Sequence, residues 1–282
     1  MKRVVTVQDF SCLGKCSLTV ALPVLSAMGI ECAPLPTALL SAHTAFDGFY
    51  SRPLTEEMKA ILKHWSDMDL HFDGICSGYL ASEEQAELVA DLFEKAKTGL
   101  RFVDPVMADQ GKLYTGFPPD FPEAMKLLCR RAQVITPNIT EACLLTDTPY
   151  TECQEETLIR ELLEKLLALG PETAVITGLR TDDSHMGVAS LQKDGSCRLH
   201  LTEYVPAVFH GTGDLFASVC AGAMILGRSV PEAVALAADY VHHTIRTTMK
   251  NPGRRWYGVD FETTLPFLMR QLFSEDCHEE IN

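Results

Sequence analysis

Three observations predict an α/β fold built around a mostly parallel sheet. Short β-branched runs alternate with stretches of helical apolar spacing along the whole chain, the signature of repeated β-α-β units. At 282 residues and 46 % hydrophobic, the chain can bury a sizeable core. No repeat with a period of roughly 20–50 residues divides it, and no low-complexity linker does either. The expectation is a single domain over residues 1–275, with 276–282 as a frayed tail.

The elements follow in order. RVVTVQ (3–8) is a strand ending in the polar loop DFSCLGKCS. SLTVALPVLSAMG has helical spacing, and Gly29 is placed to stop it. IECAPLPT is a second strand, followed by a long loop through SAHTAFDGFYSRPL. Thr55-Glu-Glu opens a helix that runs towards Met68, with acids in its first turn, where they favour the helix dipole. FDGICSGYL is a strand and turn, and SEEQAELVADLFEKAKTG is an amphipathic helix with Ser82 as N-cap. LRFVDPV is a buried strand, PEAMKLLCRR a short helix and AQVITPN another strand. ETLIRELLEKLLALG repeats apolar residues at i, i+3, i+4 and i+7, so it is a surface helix facing a core. TAVITG is a strand, and MGVASLQKDGSCRLHLTEY is a hairpin turning at Lys193-Asp-Gly-Ser196. DLFASVCAGAMILG and PEAVALAADYVHHTIRTTM are helices dense in small and apolar residues.

Composition excludes several classes. A formal net charge of −14 argues against a nucleic-acid partner, which needs a basic face. It leaves nucleotides open, because a cluster of backbone amides binds phosphate inside an acidic protein. No apolar run approaches the ~20 residues of a membrane helix, and Asp9 interrupts the short run after Met-Lys-Arg. The ten cysteines are scattered and form no CxxC pair, which favours reduced thiols in a cytoplasm over zinc or a disulfide framework. His242-His243 lacks a nameable third ligand, and Arg254-Arg255 reads as a solvated pair.

In a sheet of this kind ligands bind at the carboxyl ends of the strands. Those ends carry Asp104-Pro-Val-Met-Ala-Asp109, Thr136-Pro-Asn-Ile-Thr-Glu141, Thr177-Gly178 and the stretch FHGTGDLFAS (209–218). TPNITE is readable as a helix cap with Pro137 at the first helical position, and DPVMAD as a turn. Their joint placement at one sheet edge points to a shared ligand. In GTGD, the amides of Gly211, Thr212 and Gly213 face outward at a helix N-terminus, a cradle for phosphate. Asp214 follows in the first turn, placed to take a proton from a hydroxyl that attacks a transferring phosphoryl group. Asp109 and Glu141 can hold Mg²⁺ through water, because that ion dehydrates reluctantly. GxxxxGK[ST] does not occur, so this is not a P-loop protein.

The set DPVMAD, TPNITE and HGTGD, in that order and spacing, resembles the ribokinase-like superfamily, most closely its vitamin B6 kinase branch. VQDFSCLGKCS, LPTALLSAHT and RRWYGVDFETTL fit the same branch, so the resemblance extends nearly to Phe273. GTGD alone marks the superfamily. DPVM followed by GKLY, with TPNxxE and SxHT, is more specific to kinases of pyridoxal, pyridoxine and pyridoxamine, with hydroxymethylpyrimidine kinases as near neighbours.

The resemblance implies a three-layer α/β/α sandwich and transfer of phosphate from ATP to the 5′-hydroxymethyl group of a B6 vitamer. It implies Asp214 as general base and Gly211, Thr212 and Gly213 as the anion hole for the γ-phosphate. Asp109 and Glu141 match positions acting on the ATP phosphates and Mg²⁺, and Thr136 an ATP-site position. Asp104, Thr136 and Thr177 match a monovalent-cation neighbourhood, with K⁺ as the candidate. Thr44 matches a substrate contact over the pyridine ring, with Thr37, Ser41 and His43 nearby, and Val205 to Val208 flank the nucleotide. A homodimer and a lid over ATP, drawn from residues 110–120, are also implied. One departure concerns Asp9, where better-known members have serine. An aspartate there pairs with a protonated pyridine nitrogen and selects among vitamers, or else caps the neighbouring loop. Two alternatives remain at this level: a hydroxymethylpyrimidine kinase of thiamine synthesis, and a non-catalytic vitamer-binding protein on the same scaffold.

Overall fold

The computed structural model describes residues 1–68, 70–95, 98–151 and 155–273, so the 276–282 tail lies outside the described residues. The β-branched start forms β1 (Arg3–Ser11), with Val4, Val5 and Val7 fully buried. Helix α1 (Leu18–Ala27) follows and is stopped by Gly29, whose φ of 79° only glycine adopts at ease. Next come β2 (Glu31–Leu40), a short β3 (Ser51–Pro53) and α2 (Thr55–Ser66). Then β4 (Phe72–Ser77), α3 (Glu83–Lys95) and β5 (Thr98–Val103) continue the alternation. A small hairpin, β6 (Ala108–Asp109) and β7 (Lys112–Leu113), precedes α4 (Phe121–Cys129). After β8 (Val134–Ile135) come α5 (Ile139–Leu145), α6 (Glu156–Leu169) and β9 (Thr173–Arg180). The hairpin β10 (His185–Gln192) and β11 (Cys197–Glu203) leads to α7 (Thr212–Ile225), α8 (Val230–Lys250) and α9 (Phe261–Phe273).

The nine-stranded sheet has the order β11-β10-β9-β8-β5-β4-β1-β2-β3. Strands β2, β1, β4, β5, β8 and β9 pair in parallel. The edges β3, β10 and β11 pair antiparallel, as short connections and hairpins require. Side chains alternate across the pleat, so Val5 and Val7 join one apolar layer and Val4 the other. The first layer holds Met58 of α2, Phe93 of α3, Leu128 of α4 and Leu162 of α6. The second holds Val24 of α1, Val219 of α7, Tyr240 of α8 and Leu268 of α9. Helix α6 buries Ile159, Leu162, Leu163 and Leu166, the spacing read from its sequence. Each such side chain contributes roughly 1.5–3 kcal/mol. The result is the expected α/β/α sandwich.

Several boundaries differ from the sequence reading. Strand β1 runs on to Ser11, so Asp9 lies within it, at a register shift between Gln8 and Phe10 against β2. Strand β2 reaches Leu40 and takes in Thr37, and β3 interrupts what reads as one long loop. Strand β9 continues through Thr177 and Gly178 to Arg180, because β10 extends its pairing. The β6–β7 hairpin has two residues per strand, too few to show a period. Helix α9 does repeat apolar residues at Phe261, Leu265, Leu268 and Leu272, and goes unread with Pro266 in its middle. From β1 the chain steps to β2 on one side and returns to β4 on the other. This switch opens a crevice above the carboxyl ends of β1 and β4.

Candidate active site

Gly211 is the N-cap of α7 and has a φ of 77°. A Cβ there would also stand 1.8 Å from the Lys15 carbonyl oxygen, so only glycine fits. The amides that follow lie in the first helical turn, where no intrahelical acceptor exists, and they suit an anion. Asp214 sits in that turn, half-buried, close to the Ser17 backbone N–H, which opposes the effect of burial on its carboxyl. Burial pushes Asp214 up to about 7, and the Asp9 charge acts in the same direction.

Facing this helix start is a group of carboxyls. Asp104, just after β5, is buried, and a Cβ on Gly213 would lie 3.9 Å from its Oδ2. Burial raises Asp104 well above the usual range, and the charges of Glu141 and Asp214 add to it. Glu141 is 2 % exposed. Its Oε1 accepts from the Met107 and Ala108 amides at 2.9 and 3.4 Å, and its Oε2 from the Asn138 amide at 2.9 Å. Asn138 returns the favour by capping α5 through the Glu141 amide, a full capping box. Asn138 rather than Pro137 therefore sets the helix start, and Pro137 stands outside it. Burial still lifts Glu141 to about 8. Asp109 is exposed on β6, with its carboxylate on the Gln110 amide. Thr177 donates its amide to the Pro137 carbonyl, which sets it across from Asn138.

Tyr114 was not read as a site residue, although GKLY contains it. Its phenol is pushed up by burial and then by the charges of Glu141, Asp109, Asp104 and Asp214. The segment between β7 and α4 also carries Phe117, whose ring stacks on Phe121 at 4.1 Å and meets Tyr79 at 5.5 Å.

The donors at this end are hard oxygens, the type that suits Mg²⁺ or K⁺. The Thr136 hydroxyl is buried without a partner, and like charges crowd Asp104, so the group fits a cation. Among the described residues no three His, Cys, Asp or Glu side chains converge as a protein-only cage. Both Glu141 oxygens are occupied by backbone amides, which matches a role through water rather than direct ligation. On the flank, Val205 is half-buried and Val208 is 80 % exposed before α7, an apolar surface open to a base.

The other end of the crevice is assembled from distant segments. Asp9 is 5 % exposed, and its two carboxylate oxygens accept from the Ser11 and Ser17 hydroxyls. Burial raises it and these bonds oppose the rise. Thr37 is fully buried, with its hydroxyl on the Tyr79 carbonyl at 2.9 Å, so it braces Tyr79 and is not open to a ligand as expected. Ser41 and Thr44 are exposed on the loop after β2, and the Ser41 hydroxyl accepts from the Tyr50 amide. His43 packs its ring 4.4 Å from that of His210, which precedes GTGD, and burial lowers it to about 4. His210 in turn meets Trp256 edge-on.

Comparison with known proteins gives the family and supports the fold. Residues 22–258 match the family model described as phosphomethylpyrimidine kinase. The chain belongs to that kinase family. A sheep (Ovis aries) pyridoxal kinase is 30 % identical, over 88 % of this chain and 86 % of that protein. The structure of pyridoxal kinase from Lactobacillus plantarum superposes with a TM-score of 0.90 at 32 % identity, covering 98 % of this chain and 99 % of that one. A Bacteroides thetaiotaomicron protein classed with the phosphomethylpyrimidine kinases, crystallised with pyridoxal, has a TM-score of 0.90 at 36 % identity, covering 95 % of each chain. Within the family, this kinase sits in the pyridoxal kinase branch.

Proposed function

We propose that this kinase transfers the γ-phosphoryl group of ATP to the 5′-hydroxymethyl group of pyridoxal, pyridoxine or pyridoxamine. The observation that carries the reading is Asp214 in the first turn of α7, pushed up to about 7, beside free helix-start amides. A base so poised is about half-ionised at neutral pH and still basic enough to accept a proton. The vitamer O–H gives its proton to Asp214 while its oxygen bonds the γ-phosphorus. The bond to the β–γ bridging oxygen breaks, and ADP leaves. Gly211, Thr212 and Gly213 hold the transferring group through their amides, which costs no reorganisation. Asp109 and Glu141 would hold Mg²⁺ through water, and the ion would supply neutralising charge at the phosphates; Asp104, Thr136 and Thr177 would hold a monovalent cation. Tyr114 borders the same phosphates.

Val205 and Val208 take the apolar face of the nucleotide. Ser41, His43 and Thr44 face the vitamer ring, and residues 110–120 close over ATP. The apolar pair Phe10 and Leu39, each more than a third exposed where β1 meets β2, supports a homodimer through this edge. The described cysteines are all free thiols, which supports a cytoplasmic location.

A coupled ADP-release assay with Mg·ATP on the three vitamers and hydroxymethylpyrimidine, with and without K⁺, tests this reading. Turnover of a B6 vitamer is expected. Turnover of hydroxymethylpyrimidine alone would move the protein to the pyrimidine reading that the family model favours. Vitamer binding without ADP release would leave a binding protein.

A further inference from the structure

The segment from Lys15 to Ser17 bridges the two ends of the crevice. Lys15 is anchored by Asp260 and Glu262 at 3.1 and 2.9 Å, and its carbonyl packs against Gly211. Ser17 precedes α1 at the N-cap position, where a serine hydroxyl ordinarily caps the helix. Here the hydroxyl makes no cap bond and donates instead to Asp9. Ser17 also has a φ of 50° and a ψ of −132°, a backbone region that a residue with a side chain enters only under constraint. This unusual turn lies beside the Lys15 and Cys16 backbone that packs against Gly211, the N-cap of α7. Asp9 is itself held by Ser11, and Asp9, Ser11 and Ser17 are at most 5 % exposed. A chain of bonds and close packing therefore runs from β1 through the turn before α1 to the start of α7, which carries Asp214.

We infer that Asp9 is a positioning residue: through the Ser17 hydroxyl it holds the turn that packs against Gly211, and so sets the first turn of α7 from which Asp214 meets the substrate hydroxyl. This differs from a direct contact between Asp9 and the pyridine nitrogen, in which Asp9 would act on vitamer binding rather than on the base. The inference rests on Asp214 being the base, as proposed above. The groups facing Asp214 are Asp9 on β1, Cys16 in the bridge, Asp104 after β5 and Tyr114 after β7, and of these Asp9 is hydrogen-bonded to the bridge itself.

Steady-state kinetics of Asp9→Ala, Asp9→Asn, Ser17→Ala and Ser17→Gly, each checked for folding by its melting curve, test the idea. Asp9→Ala is expected to lower kcat by roughly tenfold to a hundredfold, with vitamer KM little changed, because the base loses its orientation. Asn keeps an acceptor for Ser17, so Asp9→Asn loses distinctly less. Ser17→Ala and Ser17→Gly both lose the hydroxyl tie, and glycine tolerates the turn, so a fall in kcat in both, at least as deep in Ser17→Ala, is expected. A rise in vitamer KM with kcat intact in both Asp9 variants would overturn the inference in favour of a substrate contact. Parental kcat in Ser17→Gly would overturn it too. Should Asp9→Ala fail to fold, the Ser17 pair decides. A wild-type protein that phosphorylates no vitamer would instead overturn the kinase reading.

Discussion

The two ends of the crevice are held by different means. At the phosphate end, each working group is set by its own stretch of chain: the left-handed Gly211, the first turn of α7, and the capping box of α5. At the vitamer end, the groups come from β1, the loop after β2, the turn before α1 and the segment before α7. There each is held by a partner far away in sequence, as Asp9 by Ser17 and His43 by His210. In the proposed mechanism the chemistry of transfer is thus built locally, whereas the fit to the substrate ring is built by packing.

Asp214→Asn strikes the local end hardest. Its kcat is expected to fall roughly a thousandfold, while vitamer affinity measured by calorimetry stays within about threefold. Retained turnover would remove Asp214 from the base role.

Gly211→Ala tests whether that end depends on backbone shape. The left-handed φ and the clash with Lys15 should together cost about 3 kcal/mol. A melting temperature lower by roughly 5–10 °C is the expected reading. An alanine variant as stable as the parent would mean that the Lys15 bridge yields readily, and the two ends would be less tightly joined than described.

Titration gives a smaller, graded effect. Asp214 acts only when ionised, so kcat/KM should climb about tenfold per unit of pH and level off above about 7. Its folded carboxyl holds a proton to higher pH than the unfolded one does. Its contribution to stability is therefore full below the ordinary carboxyl range and lost as pH rises through about 7. Melts of the ligand-free protein should show a lower Tm at about pH 8 than at about pH 6, and the reverse order would contradict the assigned shift.

Thr44→Ala probes the packed end and has the mildest expected outcome. Loss of one exposed hydroxyl contact should raise vitamer KM roughly threefold to tenfold and leave kcat alone. A fall in kcat would show that the two ends are not separable.

Legibility follows the same division. GTGD, TPNITE and DPVMAD were readable because caps and helix starts depend on neighbours within a few residues. The alternation of strands and helices was readable because burial imposes periodicity on each element. Thr37 misled because a threonine at a strand end gives no local sign of whether its hydroxyl turns to a ligand or, as here, to the Tyr79 carbonyl. Tyr114 went unread because its distinction is the set of carboxylates around it, contributed by β6, α5, α7 and the turn after β5. Pro137 was placed two positions too far into its helix, since Asn138 rather than Thr136 holds the cap.

By itself, the sequence determined the α/β class, the helix start that cradles an anion and the carboxylate beside it. Hydrophobic periodicity and capping chemistry act over a turn or a strand, so they are written where they operate. Only the tertiary structure decided that Asp9 faces Ser17, that Lys15 presses on Gly211 and that His43 meets His210. Those contacts exist because the switch between β2 and β4 folds distant segments over one sheet edge, and no local spacing encodes which side chains then meet.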